Sequence, residues 1–254
     1  MACSYPRCMD PLTAAAASGL QSRLDAIDML ANNLANTSTS GFKADREFYS
    51  TYLSPEVTNS YDMTVGPSPV VQRQWTDFTQ GTLLDTGSPT DLALSGSGFF
   101  AVNGPNGILY TRNGGFRISS QGALVTTEGY PVRLQNGQPL QIQPGSPMQV
   151  SPDGEISKDG NTLGQLELVD FSNPSQLNKA AAAYFQSPGG NAAPIAASNV
   201  QVSQGKLESS NAAPAEAAAR MISILRNFEM LQKAVKIGAD MNHQAIEEVA
   251  RVGS

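Results

Sequence analysis

Cysteine, histidine and tryptophan are nearly missing from this chain of 254 residues, which has two, one and one of them. Cys3 and Cys8 both precede Met9 and have no histidine or second cysteine pair beside them. That excludes a zinc site of the usual spacing and confines any disulfide to a short loop. Charge is sparse too, and the acidic side prevails, with 22 Asp and Glu against 16 Lys and Arg and a net charge of −6. Phosphate backbones call for clustered cations, so nucleic acid is excluded as a partner. No apolar run approaches the ~20 residues that a spanning helix requires, so the chain is expected not to span a membrane. The opening MACSYPRCMDPLTAAAASGL lacks the basic start and apolar core of a cleavable secretory signal. The expectation is a protein that stays in the cytoplasm or leaves by a route that does not use that signal. Residues 1–8 read as a disordered tip, with Met9 as an alternative native start.

What the chain does contain falls into blocks. From Leu12 the apolar residues take helical spacing, and Leu20, Leu24, Ile27, Ala31 and Leu34 alternate steps of four and three, the seam of a coiled coil. Pro11 suits a first helical turn, and small polar residues with Gly41 supply the stop. The far end mirrors this: Met221, Ile224, Phe228, Leu231, Val235 and Gly238 repeat the pattern behind Pro214 and Glu216. Between them, DLALS, GFFAV, GILYTR, GFRIS, GALVTT and GYPVRL are short strand-like runs, several separated by Asn-Gly and other glycine turns. The expected layout is 9–40 as an N-terminal helix, 41–76 as an extended connector, 77–205 as an all-β domain and 206–254 as a C-terminal helix. An isolated helix gains little in water. The expected fold class is therefore mixed α and β, a discontinuous α-helical coiled-coil domain from both termini with an inserted all-β domain.

Catalytic patterns do not emerge. His243 stands alone in the last helix with no nucleophile motif to serve. LSGSGFF fits neither G-x-S-x-G nor the dinucleotide fingerprint, because position 101 is Ala, and GKLESSN lacks the phosphate-loop spacing. Asp153, Glu155 and Asp159 sit in SPDGEISKDG, where turn chemistry already explains Asp-Gly. No enzyme, no cofactor, no metal and no small-molecule substrate are expected. A ligand-binding β-module is the alternative class, but it wants clustered exposed aromatics, and Trp75 is the single tryptophan.

Three blocks carry a resemblance. ANNLANTSTSGFKADREF, GFFAVNGPNGILYTRNGGFRISSQGALVTTEGYPV and GKLESSNAAPAEAAARMISILRNFEMLQKAV together resemble the flagellar basal-body rod and hook proteins, in that family's order. The length, RNFEMLQK, LQIQPGSPMQVSPDGEIS and LGQLELVDF look most like the proximal-rod members, with distal-rod members next. The tip before Met9 and the alanines of SSNAAPAEAAAR depart from the pattern. The resemblance implies a non-enzymatic structural subunit of the basal-body rod, exported by the flagellar type III apparatus and polymerised in the periplasm. Its implied partners are copies of itself, other rod and hook proteins and the export apparatus. On this reading the first helix stops near Asn36 because the chain leaves an inner helical layer for an outer β-layer, with Gly41 supplying a left-handed step and Phe42 anchoring the exit. Asn32, Asn33 and Asn36 are either solvated helix-end residues or hydrogen-bonding groups toward neighbouring subunits, and the resemblance favours the second. The expected assembly surface comprises these residues with Leu20, Leu24, Ile27, Leu34, Met221, Ile224, Leu225, Phe228, Leu231 and Val235, flanked by Leu30 and Ile222.

Overall fold

The structure is a computed structural model that describes residues 11–52, 68–142, 148–188 and 193–252. The expected tip at 1–8, with Cys3 and Cys8, lies outside the described residues. Helix α1 (Pro11–Ala35) opens the chain, followed by strands β1 (Asp45–Tyr52) and β2 (Ser68–Thr76), which pair as a two-stranded sheet within the stretch read as a connector. There follow β3 (Leu83–Asp85), β4 (Leu92–Gly96), β5 (Phe99–Gly104), β6 (Gly107–Thr111), β7 (Arg117–Ile118) and β8 (Leu124–Val125). Next come β9 (Gln149–Val150), β10 (Glu155–Lys158), β11 (Asn161–Gln165) and β12 (Leu168–Asp170). The series ends with β13 (Asn178–Ala181), β14 (Tyr184–Gln186), β15 (Ile195–Ala196), β16 (Val200–Gln204), β17 (Lys206–Glu208) and the long helix α2 (Pro214–Val252). Among the described residues no helix is long and apolar enough to cross a membrane.

Two compact units share the chain. One gathers the described parts of Met1–Leu34, Asp45–Trp75 and Pro214–Ser254, and the other holds Ala35–Ala44 and Thr76–Ala213. The second unit is built around a sheet ordered β13-β14-β6-β5-β12-β15. Side chains alternate across a strand, and both faces of this sheet are covered, so β5 reads as an unbroken apolar run. Phe100 and Val102 enter the larger core with Leu92, Leu109, Leu124, Ile156, Leu166, Tyr184 and Val202. Phe99 and Ala101 point into a second core with Tyr110, Phe171 and Phe185. Phe99 meets Phe171 and Phe185 edge-on, with ring centroids 5.7 and 5.8 Å apart, the arrangement that aromatic quadrupoles prefer.

The first unit corrects the fold expected from the sequence. The protein is mostly β with one helix at each end, and the helices do not form a coiled-coil domain. A heptad seam must bury its repeating positions, yet Leu24 and Leu34 are 42% and 37% exposed. The buried stripe of α1 is instead Ser22, Ala26, Met29, Leu30 and Asn33. At ~100° per residue this stripe is turned by roughly 130° from the predicted one. Its cause is visible in the polar members, since Asn33 is occupied by the backbone of β1. Among the described residues the core common to the two helices is Ala26, Met29 and Leu30 with Ala217 and Ile224, and Ile27 and Met221 at its margin. A Cβ at Gly19 would stand 4.0 Å from Leu231 Cδ1. Positions 19 and 26–30 thus meet 231 and 217–224 respectively, which makes the helices antiparallel.

Two phenols are buried in the sheet unit. Burial raises Tyr184 well above the ordinary tyrosine value, with its hydrogen bond to Glu128 adding to the shift, and burial with the charge of Glu167 raises Tyr110. Above pH 10 the unfolded chain releases protons that the folded chain keeps. Stability is thus intact below about pH 10 and falls as pH rises beyond it. Urea unfolding at pH 9, 10 and 11 is expected to show this decline. The decline should be shallower in Tyr184→Phe, whose folded state no longer holds that proton. An equal slope in the variant would refute the assignment.

Candidate functional site

Helix α1 ends at Ala35, and the chain then turns through Asn36 to Gly41. The carbonyl of Asn36 accepts from the Thr39 amide at 3.2 Å, and its side-chain oxygen accepts from the Thr39 hydroxyl at 3.1 Å. The first occupies a carbonyl past the helix end, and the second holds the Asn36 side chain in the turn. Gly41 has φ +67°, and a Cβ there would lie 2.3 Å from the Asn113 amide nitrogen, so a side chain has no room. Phe42 follows, wholly buried, with the Lys179 ammonium 4.2 Å from its ring centroid. Lys179 Nζ also donates to the Lys43 carbonyl at 2.9 Å.

Lys43 is the next residue and has no exposed surface. Its Nζ donates to Glu208 Oε1 at 2.5 Å and to the Thr79 carbonyl at 2.6 Å. Glu208, equally buried at the end of β17, accepts the Gly81 amide on Oε1 at 2.8 Å and Arg112 Nη1 on Oε2 at 3.3 Å. Arg112 Nη2 reaches the Gly96 carbonyl at 2.6 Å, and its guanidinium lies 5.5 Å from the Phe99 ring centroid. Its Nε has no partner among the described residues. Burial pushes both cations below their ordinary pKa ranges, while the Glu208 carboxylate holds them up. The cluster therefore ties together residues 43, 81, 112 and 208 by charge-assisted bonds, which are shorter and stronger than neutral ones.

Beside it, Asn211 collects the backbones. Its Oδ1 accepts the Ala44 amide at 2.7 Å, and its Nδ2 donates to the carbonyls of Asp77 and Thr79 at 2.7 and 3.1 Å. Asp77 N–H donates to the Ala44 carbonyl at 2.8 Å, and Asn211 N–H to the Phe42 carbonyl at 3.3 Å. Ala44, Asp77 and Asn211 lie beside three of the four points where the chain enters or leaves the β unit, the fourth being its entry at Ala35.

The residues singled out from the sequence divide into three sets. Ile224 is buried, while Leu20, Ile27, Met221, Phe228, Leu231 and Val235 on the helices, and Asn36 just past α1, are half-buried. Leu24, Asn32, Leu34 and Leu225 are exposed. Gly41, Phe42 and Asn33 are interior. The carboxamide of Asn33 is committed within its own chain, donating to the Asp45 carbonyl at 2.8 Å and accepting its amide at 2.9 Å. Lys43, Arg112, Glu208 and Asn211 escaped the sequence reading. Lys43 and Glu208 are 165 residues apart, and nothing local distinguishes either from a solvated surface charge.

The described terminal helices leave large apolar side chains exposed, Met230, Ile237 and Met241 among them. Residues 14–43 match the family described as flagella basal body rod protein, 93–158 the flagellar hook protein FlgE/F/G D1 domain, and 203–248 the flagellar basal body rod FlgEFG protein C-terminal. The chain is 33% identical to the flagellar basal-body rod protein FlgF of Caulobacter vibrioides, covering 89% of this chain and 92% of that one. It is 32% identical to the rod protein FlgG of Buchnera aphidicola subsp. Acyrthosiphon pisum, covering 88% and 94%. The flagellar hook protein FlgE of Helicobacter pylori is 36% identical over 46% of this chain and 18% of its own. The chain belongs to the flagellar basal-body rod protein family. It is a structural subunit of the rod, placed in the flagellar basal body.

Glu208→Ala leaves two buried cations without their shared anion. Its expected cost is about 3–5 kcal/mol of folding free energy, read as a lowered urea midpoint of the sheet unit. Gly41→Ala should also destabilise, by more than ~1 kcal/mol, because strain at positive φ adds to the clash. Wild-type midpoints for both would refute the clamp.

Proposed function

We propose that this protein is a proximal-rod subunit that polymerises through its terminal helices and carries torque from motor to hook. It leaves the cytoplasm through the flagellar type III apparatus, assembles in the periplasm and acts without catalysis. Its partners are copies of itself and other rod and hook proteins. The observation that carries this reading is the apolar surface that the folded helices do not bury. Leu24 and Leu34 on α1 are joined by Ile222, Leu225, Met230, Ile237 and Met241 on α2, the last three 60–64% exposed. Met230, Ile237 and Met241 recur at steps of seven and four and so share one helix face. Leu225, Phe228, Leu231 and Val235 supply the neighbouring surface, with Met221 and Ile224 behind them. On α1 the surface is Leu20, Leu24, Ile27, Asn32 and Leu34, while Asn36, Gly41 and Phe42 set its end.

Fully burying one such side chain contributes ~1.5–3 kcal/mol, so a few per subunit stabilise an assembly. Contacts between unlike patches do not close on themselves, and they generate helical filaments. A distal-rod position is the second reading, supported by the 32% identity to FlgG over nearly the same span.

Cryo-EM of purified basal bodies tests both, and density in the proximal rod is the expected result. The paired variant Met230→Asp, Ile237→Asp should keep the wild-type unfolding of the sheet unit and abolish rod formation and swimming. A deletion strain that swims normally would reject the rod reading outright.

A further inference from the structure

We propose that Asn211 is a positioning residue for assembly: its carboxamide fixes the mutual spacing of the backbones beside three of the four points at which the chain passes into or out of the β unit. Incorporation into the rod depends on that spacing beyond the stability it adds, and this rests on the rod reading above. Ala44 is the last residue before the chain first leaves the β unit, Asp77 is the second after it returns, and Asn211 stands just before the final exit at Ala213. The bonds close a triangle. Ala44 and Asp77 meet through their own backbones at 2.8 Å, and Asn211 holds each of them at 2.7 Å. Asn211 is 167 residues from Ala44 and 134 from Asp77, so only the folded unit brings them together.

The geometry selects asparagine. The site needs one acceptor toward an N–H and a donor pair toward two carbonyls, at the reach of a two-carbon side chain. Aspartate loses the donors, leucine loses both functions, and glutamine is one methylene too long. Stability alone does not explain the choice, because the buried charges of Lys43, Arg112 and Glu208 already fasten the same segments a few ångströms away. Asn211 is half-buried and forms neutral bonds, whose net contribution to stability is modest. Its distinct effect is geometric. The covalent links from the β unit to β1, β2 and α2 run through these backbones, so their spacing is passed to every subunit packed on those elements.

The test compares Asn211→Ala with a core variant such as Ile156→Val, trimmed until the two have equal urea midpoints, in the full-length chain. Hydrogen exchange on the purified proteins should show the amides of Ala44 and Asp77 exchanging roughly ten-fold faster in Asn211→Ala alone. In a deletion strain, Asn211→Ala should lower the subunit content of purified basal bodies about ten-fold or more, while the matched core variant incorporates like wild type. Unchanged exchange at Ala44 and Asp77 overturns the pinning. Faster exchange with incorporation equal to the matched variant overturns the role in assembly. Wild-type complementation in the same strain separates the two readings, because wild-type protein absent from basal bodies overturns the rod assignment itself.

Discussion

A carboxylate sealed from water must find its positive charge and hydrogen-bond donors within its own fold, and Glu208 finds them in three distant segments. Lys43 comes from the turn after α1, Gly81 from the stretch before β3, and Arg112 from the end of β6. Hydrophobic burial is non-directional and would tolerate these segments in several registers. A buried anion with two buried cations does not, since any slip strands a charge at a cost of several kcal/mol. The cluster thus decides which segments meet at the end of the β unit where the chain passes in and out. Gly41 and Gly81 reflect the same constraint, for the added Cβ of either would lie within 2.3 Å of a backbone atom.

Stabilising contacts are unevenly divided. The sheet unit has apolar cores on both faces of its main sheet, with aromatic rings interlocked on one of them. Among the described residues, five buried side chains, two of them alanine, make up the core of the helical unit. In the proposed assembly the exposed surface of the helices is what neighbouring subunits bury. On the proposed reading the two units answer different demands: the sheet unit folds from its own residues, while the helical unit is completed by its neighbours.

The sequence made this division legible but not the means of joining its parts. Turn residues and short alternating runs announced the strands, and the stretch TSTSGF announced the end of α1, because these signals act within a few residues of the structure they cause. The three blocks of family resemblance were equally readable. The packing of α1 was not. Its Leu and Ile residues keep a heptad spacing, yet the face turned inward has serine and asparagine among its members, since part of what it meets is the backbone of β1. Periodicity records where apolar residues lie and is silent about what lies opposite. Lys43, Arg112, Glu208 and Asn211 were invisible for a related reason: each is an ordinary polar residue made special by partners far away in sequence.

The failed heptad reading also explains where the unused surface lies. At ~1.5 Å per residue α1 spans about 37 Å and α2 about 58 Å. Gly19 stands opposite Leu231 and the helices run antiparallel, so the described start of α1 at Pro11 reaches to about position 239. Met241 and the turns after it have no α1 beside them among the described residues. No register of these two helices could give α2 a full-length partner, whatever the seam. The apolar face at Met230, Ile237 and Met241 is turned by about 100° from Leu231, which points toward α1. A helix with one side partly covered by its own chain and another left open satisfies one partner inside the molecule and has a place for others outside it.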